Sequence, residues 1–240
     1  MLRARPLPSL AFAASIACLS ACVGEGDQTI IILQNQAPTE GCVVAASPSE
    51  SYIGSGLIDS TSTAGYVFTP VAKNFSTVAE SADDRRRIAF VTGARVAVRF
   101  ANTDRVDATT QSQLASDGVT RFEVPYAAQI SPDATTSFAF TIVPPEVLTT
   151  IDAVLTDPAE RELLLVDVRL IGTLGDGSFE SQLFTYPVEV CQGCLAIDQG
   201  ACAALDPSFE PRTGGYCNPA QDLPVDCCDG ICPAVVPPAQ

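Results

Sequence analysis

Cysteines are the residues of this sequence whose type and spacing best suit chemistry. Cys191 and Cys194 are separated by Gln192 and Gly193, a spacing that redox motifs and zinc sites share. Thioredoxin-like chemistry places such a pair at the start of a helix after a strand, whereas this pair follows a predicted β-hairpin and opens an irregular segment. We therefore expect a structural disulfide role for the pair, with a redox centre or a zinc site as alternatives.

The chain stays rich in cysteine beyond this motif. Seven cysteines fall in the last part of the sequence: Cys191, Cys194, Cys202, Cys217, Cys227, Cys228 and Cys232. Gly, Pro, Asp and Ala fill the intervals, so this segment has too few apolar residues to hold a fold without cross-links. We predict that residues 191–240, called the tail below, form a disulfide-rich coil module.

Carboxylates are the second group that suits a site. Four fall in one short stretch and a fifth lies at a predicted turn: Asp152, Asp157, Glu160, Glu162 and Asp176. Calcium takes several oxygens in loops, so a weak calcium site is an alternative to ordinary solvated acids, although no EF-hand spacing is present. Paired carboxylates also serve glycoside hydrolysis, but that reaction depends on their separation across a cleft, which a sequence does not define.

Other catalytic machinery is missing from the sequence. The chain contains no histidine, and Lys73 is its only lysine. The absence of histidine excludes Ser-His-Asp and Cys-His arrangements and every His-based zinc site. The sequence also contains no Gly-x-Ser-x-Gly elbow and no Ser-x-x-Lys dyad. We assign no catalytic residue and expect a protein that is not an enzyme.

Charge restricts the partners. With 28 Asp and Glu against 13 Lys and Arg, the chain carries a formal charge of −15. Such a surface repels phosphate backbones, so nucleic acid is a poor partner. One charged run, residues 83–87, combines two Asp with three Arg. It offers an anion clamp, but we favour a solvated loop whose charges offset one another.

The N-terminus has the pattern of a signal peptide. Arg3 and Arg5 precede an apolar stretch from Leu10 to Leu19 that is too short to span a membrane. The stretch ends in Leu19-Ser20-Ala21-Cys22, which resembles the lipobox of bacterial lipoproteins. That resemblance implies cleavage between Ala21 and Cys22, with a diacylglycerol thioether and an N-linked acyl chain such as palmitate on Cys22.

The residue after Cys22 is Val23 and not Asp, which by the same resemblance implies an outer-membrane location. A plain secretory signal and an uncleaved anchor are the alternatives, and Cys18 is a weaker candidate for lipidation because Ser15 takes the place of the preferred Leu. If Cys22 carries lipid, Cys42 is the one remaining partner for the odd cysteine of the tail. An oxidising compartment then requires a disulfide between Cys42 and the tail, closing a loop of about 150 residues or more.

The rest of the chain has the pattern of short strands. The clearest signal is a hairpin of two long strands, 162–174 and 178–190, around Gly175-Asp176-Gly177. Alternating residues place Leu164, Val166, Val168 and Leu170 on a buried face, and the segment 95–100 repeats this period. Further strands are predicted near 29–33, 42–45, 52–58, 65–71, 88–92, 122–126 and 138–142, with one short helix starting at Pro145.

These elements predict an all-β protein: an antiparallel β-sandwich of immunoglobulin- or fibronectin-like style. We divide the chain into a cleaved signal peptide (1–21), a lipidated tether (22–27), the sandwich (28–190) and the cysteine-rich tail (191–240). In overall style the sequence is similar to cysteine-tailed lipoproteins of myxobacterium-like Gram-negative bacteria. That likeness implies a membrane attachment through lipid and the general architecture. Because catalytic motifs are missing, we expect a non-enzymatic structural or partner-binding role toward an envelope protein or glycan. The alternative is a carbohydrate-binding or carbohydrate-degrading accessory protein that uses carboxylates, with calcium as a weak option.

Overall fold

The computed structural model describes residues 29–62, 64–76, 87–102, 104–157 and 159–231. Strands dominate these ranges, which confirms the all-β class. The strands are β1 (Ile30–Asn35), β2 (Gly56–Asp59), β3 (Tyr66–Phe68), β4 (Pro70–Asn74), β5 (Ala89–Phe100), β6 (Arg121–Ile130), β7 (Thr135–Ser137), β8 (Phe140–Val143), β9 (Arg161–Leu174), β10 (Gly177–Glu180), β11 (Phe184–Cys191), β12 (Ala196–Asp198) and β13 (Val225–Cys227). The helices are α1 (Ala108–Ser116) and α2 (Pro145–Asp152).

The largest sheet, called the main sheet below, has the strand order β2-β11-β9-β5-β6, and β10 pairs with the far end of β9. Its pairs are antiparallel except for β2 and β11, which run parallel from Val188 opposite Gly56 to Cys191 opposite Asp59. This parallel pair departs from the antiparallel arrangement that the sequence predicts. It arises because β2 comes from a distant part of the chain and is not joined to β11 by a tight turn.

The predicted alternation on β9 and β5 is confirmed. Leu164, Val166, Val168 and Leu170 are fully buried, and Val96, Val98 and Phe100 on the neighbouring strand are buried as well. Arg95 and Arg99 point to the opposite, solvent-exposed face. One face of the main sheet therefore carries the core and the other meets water.

A second set of strands covers the buried face. β1, β4 and β7 form a curled three-stranded antiparallel sheet, and β3 pairs with β8. Ile30, Tyr66, Phe68 and Ile142 from these strands are fully buried in the same hydrophobic cluster as Leu164. The two sets of strands thus share one core. The segment 42–45 does not form the predicted strand, and its Val43 makes only an isolated bridge with Thr39.

The hairpin forms at the predicted turn, with Leu174 paired to Gly177. Its returning strand is not continuous, however, because β10 ends at Glu180 and β11 begins at Phe184. Ser181 lies at the break, where its hydroxyl accepts the N–H of Leu170 at 2.8 Å. The Leu170 N–H thus donates to a side-chain oxygen and not to a backbone carbonyl of the partner strand, so the regular strand pairing is interrupted here.

The helices are short. α2 begins at Pro145 as predicted and buries Val147, Leu148 and Ile151 against the core. α1 was not evident from hydrophobic periodicity, because none of its residues is buried; its start is defined by Asp107, whose carboxylate accepts the N–H groups of Thr109 and Thr110. Neither helix has the length and apolar character needed to cross a membrane.

The tail is more ordered than the predicted coil, since β12 and β13 pair in parallel within it. Three disulfides are described, Cys42–Cys217, Cys191–Cys194 and Cys202–Cys228, and Cys227 is also disulfide-bonded. The bond between Cys42 and the tail that parity requires is present as Cys42–Cys217. Residues 29–190 are called the body below. The Cys42–Cys217 bond joins a loop near the start of the body to the tail.

Candidate functional site

The outward face of the main sheet carries an open groove with charged walls. Ala97 on β5 lies in one cross-strand row between Arg121 on β6 and Asp167 on β9. Because the Ala97 side chain is a single methyl group, the longer side chains around it leave a groove of 690 Å³. Its further walls are formed by Val96, Phe122, Arg95, Glu123, Arg169, Glu180 and Leu183.

Arg95 forms one wall of the groove, directly opposite Arg169 across the β5–β9 pair. Two guanidinium groups in adjacent positions repel each other, and nearby carboxylates are needed to offset that repulsion. Arg95 Nε lies 2.7 Å from Glu123 Oε1, and Arg95 Nη1 lies 3.2 Å from Glu180 Oε1. Both contacts raise the pKa of Arg95, led by the hydrogen bond to Glu123. The side chain is therefore held by one acid on β6 and one on β10.

Asp167 forms the opposite wall. Arg99 donates to it through Nε and Nη2, at 2.8 and 2.9 Å, and the Thr185 hydroxyl donates at 2.6 Å. Partial burial raises the pKa of Asp167, but the hydrogen bonds from Arg99 and Thr185 outweigh it and leave the pKa below its ordinary value. Asp167 is thus an ionised acceptor with a defined orientation, as expected for a bidentate Arg–carboxylate pair.

Arg121 differs from Arg95 and Arg99. Within the described residues its guanidinium forms no ion pair, although it is exposed and lines the groove beside Ala97. An unpaired guanidinium offers several N–H donors to a carboxylate or to hydroxyl groups of a ligand. The groove therefore combines fixed carboxylate acceptors with at least one cation that has no acid of its own in the described chain.

The Cys191–Cys194 motif has a different environment. Asp59 lies beside it, and these three residues are the one potential metal-ligand trio among the described residues. The two sulfurs are bonded to each other, however, and Asp59 accepts the N–H groups of Gly193, Leu195 and Ala196 at 2.9 to 3.2 Å. Both sulfurs and both carboxylate oxygens are already engaged. The geometry suits a structural turn held by Asp59 and does not suit a zinc site.

Burial raises the pKa of Asp59, but the hydrogen bonds from Leu195, Thr61 and Ala196 outweigh burial and keep the pKa below its ordinary value. The carboxylate is ionised and negative next to the sulfurs. A negative neighbour disfavours a thiolate on either cysteine, so it opposes the activation that redox chemistry requires.

A second polar cluster joins the tail to the core. The Tyr66 hydroxyl contacts the Tyr186 hydroxyl at 3.0 Å and donates to Asp222 Oδ2 at 3.1 Å, while Asn35 Nδ2 donates to Tyr186 at 2.8 Å. Burial raises the pKa of Tyr66 well above its ordinary value and that of Tyr186 to about 12. The pKa of Asp222 is also raised by burial. Each of these groups is hydrogen-bonded to another member of the cluster, so we interpret the cluster as structural.

The acids proposed for calcium are not brought together. Asp152 accepts from Ser60 and Gln192 at 2.5 and 3.0 Å, whereas Asp157 accepts the N–H of Ala159 at 2.8 Å. Asp176 lies in the β9–β10 turn. None of them belongs to a group of three potential ligands in the described ranges. The structure therefore gives the calcium alternative no defined site.

Glu160 and Glu162 lie on either side of one arginine. Arg105 Nη1 is 3.2 Å from Glu160 Oε2, and Arg105 Nε is 3.9 Å from Glu162 Oε2. Glu162 is fully buried, and neither of its carboxyl oxygens has a hydrogen-bond partner of suitable geometry in the described chain. Burial raises the pKa of Glu162. A backbone contact from Asn102 and the charge of Arg105 offset only part of this effect, so the ionised acid destabilises the fold.

Several predicted features lie outside the described residues. They are the signal peptide (1–21) with its cleavage site at Ala21, the tether (22–27) with Cys22, the charged run 83–86 and Cys232. The selected cysteines are disulfide-bonded in the described region and the selected acids do not form one site, whereas the groove was missed. Its signal was the repetition of Arg on the wet faces of three strands, at 95, 99, 121 and 169.

Neither a protein-family model nor a curated protein sequence matches this chain significantly.

Proposed function

We propose that this protein is a lipid-anchored lipoprotein of the bacterial outer membrane that binds an envelope component without catalysing a reaction. The groove over Ala97 carries the binding part of this proposal. The lipobox-like Leu19-Ser20-Ala21-Cys22 and the following Val23 support the anchor and the location. In this arrangement the fold begins a short tether away from the membrane, since β1 starts at Ile30.

The groove favours binding because its charged groups orient each other before any ligand arrives. Arg95 is held by Glu123 and Glu180, and Asp167 is held by Arg99. Groups that are already positioned lose little conformational entropy on binding. They also lie on strands of the main sheet, which define positions more accurately than loops do.

The acids of the groove favour binding over glycoside hydrolysis. A glycosidase needs one carboxylic acid that stays protonated near neutral pH, and such acids have a raised pKa. The Arg99 and Thr185 hydrogen bonds hold the pKa of Asp167 below its ordinary value. Glu123 and Glu180 are both ion-paired to Arg95. The three carboxylates therefore suit the role of hydrogen-bond acceptors.

The scaffold that we propose is a β-sandwich in immunoglobulin- or fibronectin-like style. The shared core of the main sheet and the β1-β4-β7 sheet supports it. The parallel β2–β11 pair and the curled smaller sheet depart from the regular antiparallel pattern of such folds.

Two experiments test the proposal separately. Mass spectrometry of the mature N-terminus should find acyl groups on Cys22, and an unmodified or uncleaved terminus would contradict the anchor. For the groove, the full-length protein and an Arg121→Glu variant are used to capture ligands from envelope preparations of the native host. Arg161→Glu is the matched control, because Arg161 is exposed at the start of β9, about 20 Å along the strand from Asp167.

We expect a component that is captured by the wild type and by the Arg161→Glu variant but not by Arg121→Glu. Equal capture by all three proteins would show that the groove is not the binding site. Capture of nothing by any of them would contradict the binding role itself.

A further inference from the structure

A smaller cleft lies next to the groove at the edge of the body. Its volume is 270 Å³, and it is lined by parts of β1, of β11 and of the segment between β1 and β2: Leu33, Gln34, Asn35, Tyr52, Ile53, Gly54, Phe184, Thr185 and Tyr186. The cleft and the groove meet at one hydrogen bond, from the Thr185 hydroxyl in the cleft to Asp167 in the groove at 2.6 Å. The two concavities are therefore adjacent on the surface.

Tyr52 is the aromatic group of the cleft with the greatest exposure, at 69 %. Its backbone is nevertheless fixed, because Ala37 donates to the Ser51 carbonyl and Ile53 donates to the Asn35 carbonyl, both at 2.9 Å. An exposed ring on a fixed backbone costs little entropy to use in binding. It offers a flat apolar face with a polar tip, which suits the C–H face of a sugar ring.

Gln34 adds a donor to the cleft. Its Nε2 atom is buried and has no hydrogen-bond partner in the described chain. Buried polar atoms of native proteins are nearly always paired, so an unpaired amide in the lining of a cleft indicates a missing acceptor. A ligand hydroxyl or carbonyl oxygen would supply it. The side chain of Asn35 is already used by Tyr186 and Thr69, which leaves Gln34 as the available amide.

From these observations we propose that the cleft and the groove form one continuous site for an anionic oligosaccharide. A neutral sugar unit stacks on Tyr52 and accepts a hydrogen bond from Gln34 Nε2. A neighbouring unit with a carboxylate, such as a uronate, lies over Ala97 and places that carboxylate against Arg121. This inference rests on the proposed binding function and specifies its ligand.

The charges of the groove favour an acidic sugar over an acidic peptide. Three carboxylates line the groove, Glu123, Asp167 and Glu180, beside its arginines. An acidic peptide would meet these carboxylates with its backbone N–H groups as its only donors, and its side-chain carboxylates would be repelled by them. A uronate chain carries hydroxyl groups between its carboxylates. Its hydroxyl groups can donate to the carboxylates of the groove, and its carboxylates can accept from the arginines.

The test measures binding of the full chain, purified in detergent, to three immobilised probes. The probes are a galacturonate tetramer, its methyl ester, which keeps the sugar but removes the charge, and tetraglutamate, which keeps the charge but removes the sugar. Isothermal titration with the same probes in solution gives the affinities. The variants are Tyr52→Ala and Arg121→Ala, with Tyr216→Ala and Arg161→Ala as controls, because Tyr216 is a half-exposed tyrosine of the tail, outside the lining of both concavities.

We expect the galacturonate tetramer to bind more tightly than both other probes, with a loss of about tenfold on methyl esterification, since a hydrogen bond to a charged group has about this worth. Arg121→Ala should remove the preference for the acid over the ester, and Tyr52→Ala should weaken both sugars by a similar factor. The two control variants should bind like the wild type.

Three results would overturn the inference: tetraglutamate binding as tightly as the sugar, galacturonate binding that Tyr52→Ala leaves unchanged, or no binding of galacturonate at all. Each leaves the proposed function to its own test, because the capture experiment with Arg121→Glu does not depend on the identity of the ligand.

Discussion

The body and the tail of this protein are held together by different forces. In the described chain, the body has one connected core of 30 buried apolar residues, whereas the tail has a buried cluster of three, Ala220, Val225 and Cys227. The tail relies instead on cross-links and on buried polar contacts. Asp226, for example, accepts from the guanidinium and the backbone N–H of Arg212, and these hydrogen bonds hold its pKa well below the usual range.

Hydrogen bonds to the body also stabilise the tail. Gln221 donates to the Val67 carbonyl and accepts the Val67 N–H, both at 2.8 Å, so a tail side chain occupies the place of a strand partner for β3. Leu57 on β2 exchanges similar contacts with Asp222. The comparison shows that a segment with too small a core for independent folding can still be ordered, provided that disulfides and side chains join it to an edge of a folded sheet.

Breaking the longest cross-link should have the largest effect. Replacing both Cys42 and Cys217 by Ala should lower the free energy of unfolding by about 5 kcal/mol, and replacing Cys202 and Cys228 by Ala should lower it by about 3.5 kcal/mol, because their loop is shorter. Chemical denaturation of the paired variants measures both values. The reverse order would show that loop length does not govern how the tail is stabilised.

A cavity in the body should weaken both regions together. Leu164→Ala removes a fully buried side chain from the centre of the core, and we expect a loss of about 3 kcal/mol. Val225→Ala should cost less and act mainly within the tail. Hydrogen exchange distinguishes the two, since the first variant should lower protection in body and tail alike. Loss of protection confined to the body in Leu164→Ala would mean that the tail is stable without it.

The contact between Asp59 and the Cys191–Cys194 turn should depend on acid. The folded pKa of Asp59 is lowered, so its stabilisation is fully present above the ordinary Asp pKa of about 3.9 and is lost as pH falls through the folded pKa. Asp59→Asn should cost about 1–3 kcal/mol at neutral pH. The variant should also lose part of the decline in stability between neutral and acidic pH. If stability falls between neutral and acidic pH as steeply in Asp59→Asn as in the wild type, Asp59 is not the cause of that fall.

Glu162 should give the opposite pH dependence. Its folded pKa is raised, so the preference of the fold for the neutral acid is fully present below the ordinary Glu pKa of about 4.3 and is lost as pH rises through the folded pKa. Glu162→Gln should therefore gain about 1 kcal/mol at pH 7 to 8, since it removes a buried charge whose burial outweighs its contacts with Asn102 and Arg105. Glu189→Gln, at an exposed position of β11, is the control. A loss of stability in Glu162→Gln would show that the attraction of Arg105 exceeds the cost of burying the Glu162 carboxylate.

Changes in the groove should have the smallest effect on folding. Arg121→Ala should alter the free energy of unfolding by less than about 0.5 kcal/mol, because the side chain is exposed and unpaired in the described chain. Thermal unfolding checks this value. A larger loss would assign Arg121 a structural role and would weaken its use as a probe of binding.

The body was predictable where one strand carried a complete pattern. The buried face of β9, the turn at Gly175-Asp176-Gly177 and the start of α2 at Pro145 follow from residue order alone, because period and turn chemistry are local properties. The helix α1 was not predicted, since none of its residues is buried and it has no apolar stripe to detect. The parallel strand β2 was not predicted either, because its partner β11 is far away in the sequence.

By itself the sequence determined the all-β class, the alternation on β5 and β9, and the need for a disulfide between Cys42 and the tail once Cys22 is assigned to lipid. These follow from backbone periodicity and from counting thiols. Only the tertiary structure decided that Cys217 is the partner of Cys42, that Asp59 holds the Cys191–Cys194 turn, and that Ala97 lies between Arg121 and Asp167. Those facts depend on strand order and register, which bring together residues that no local pattern connects.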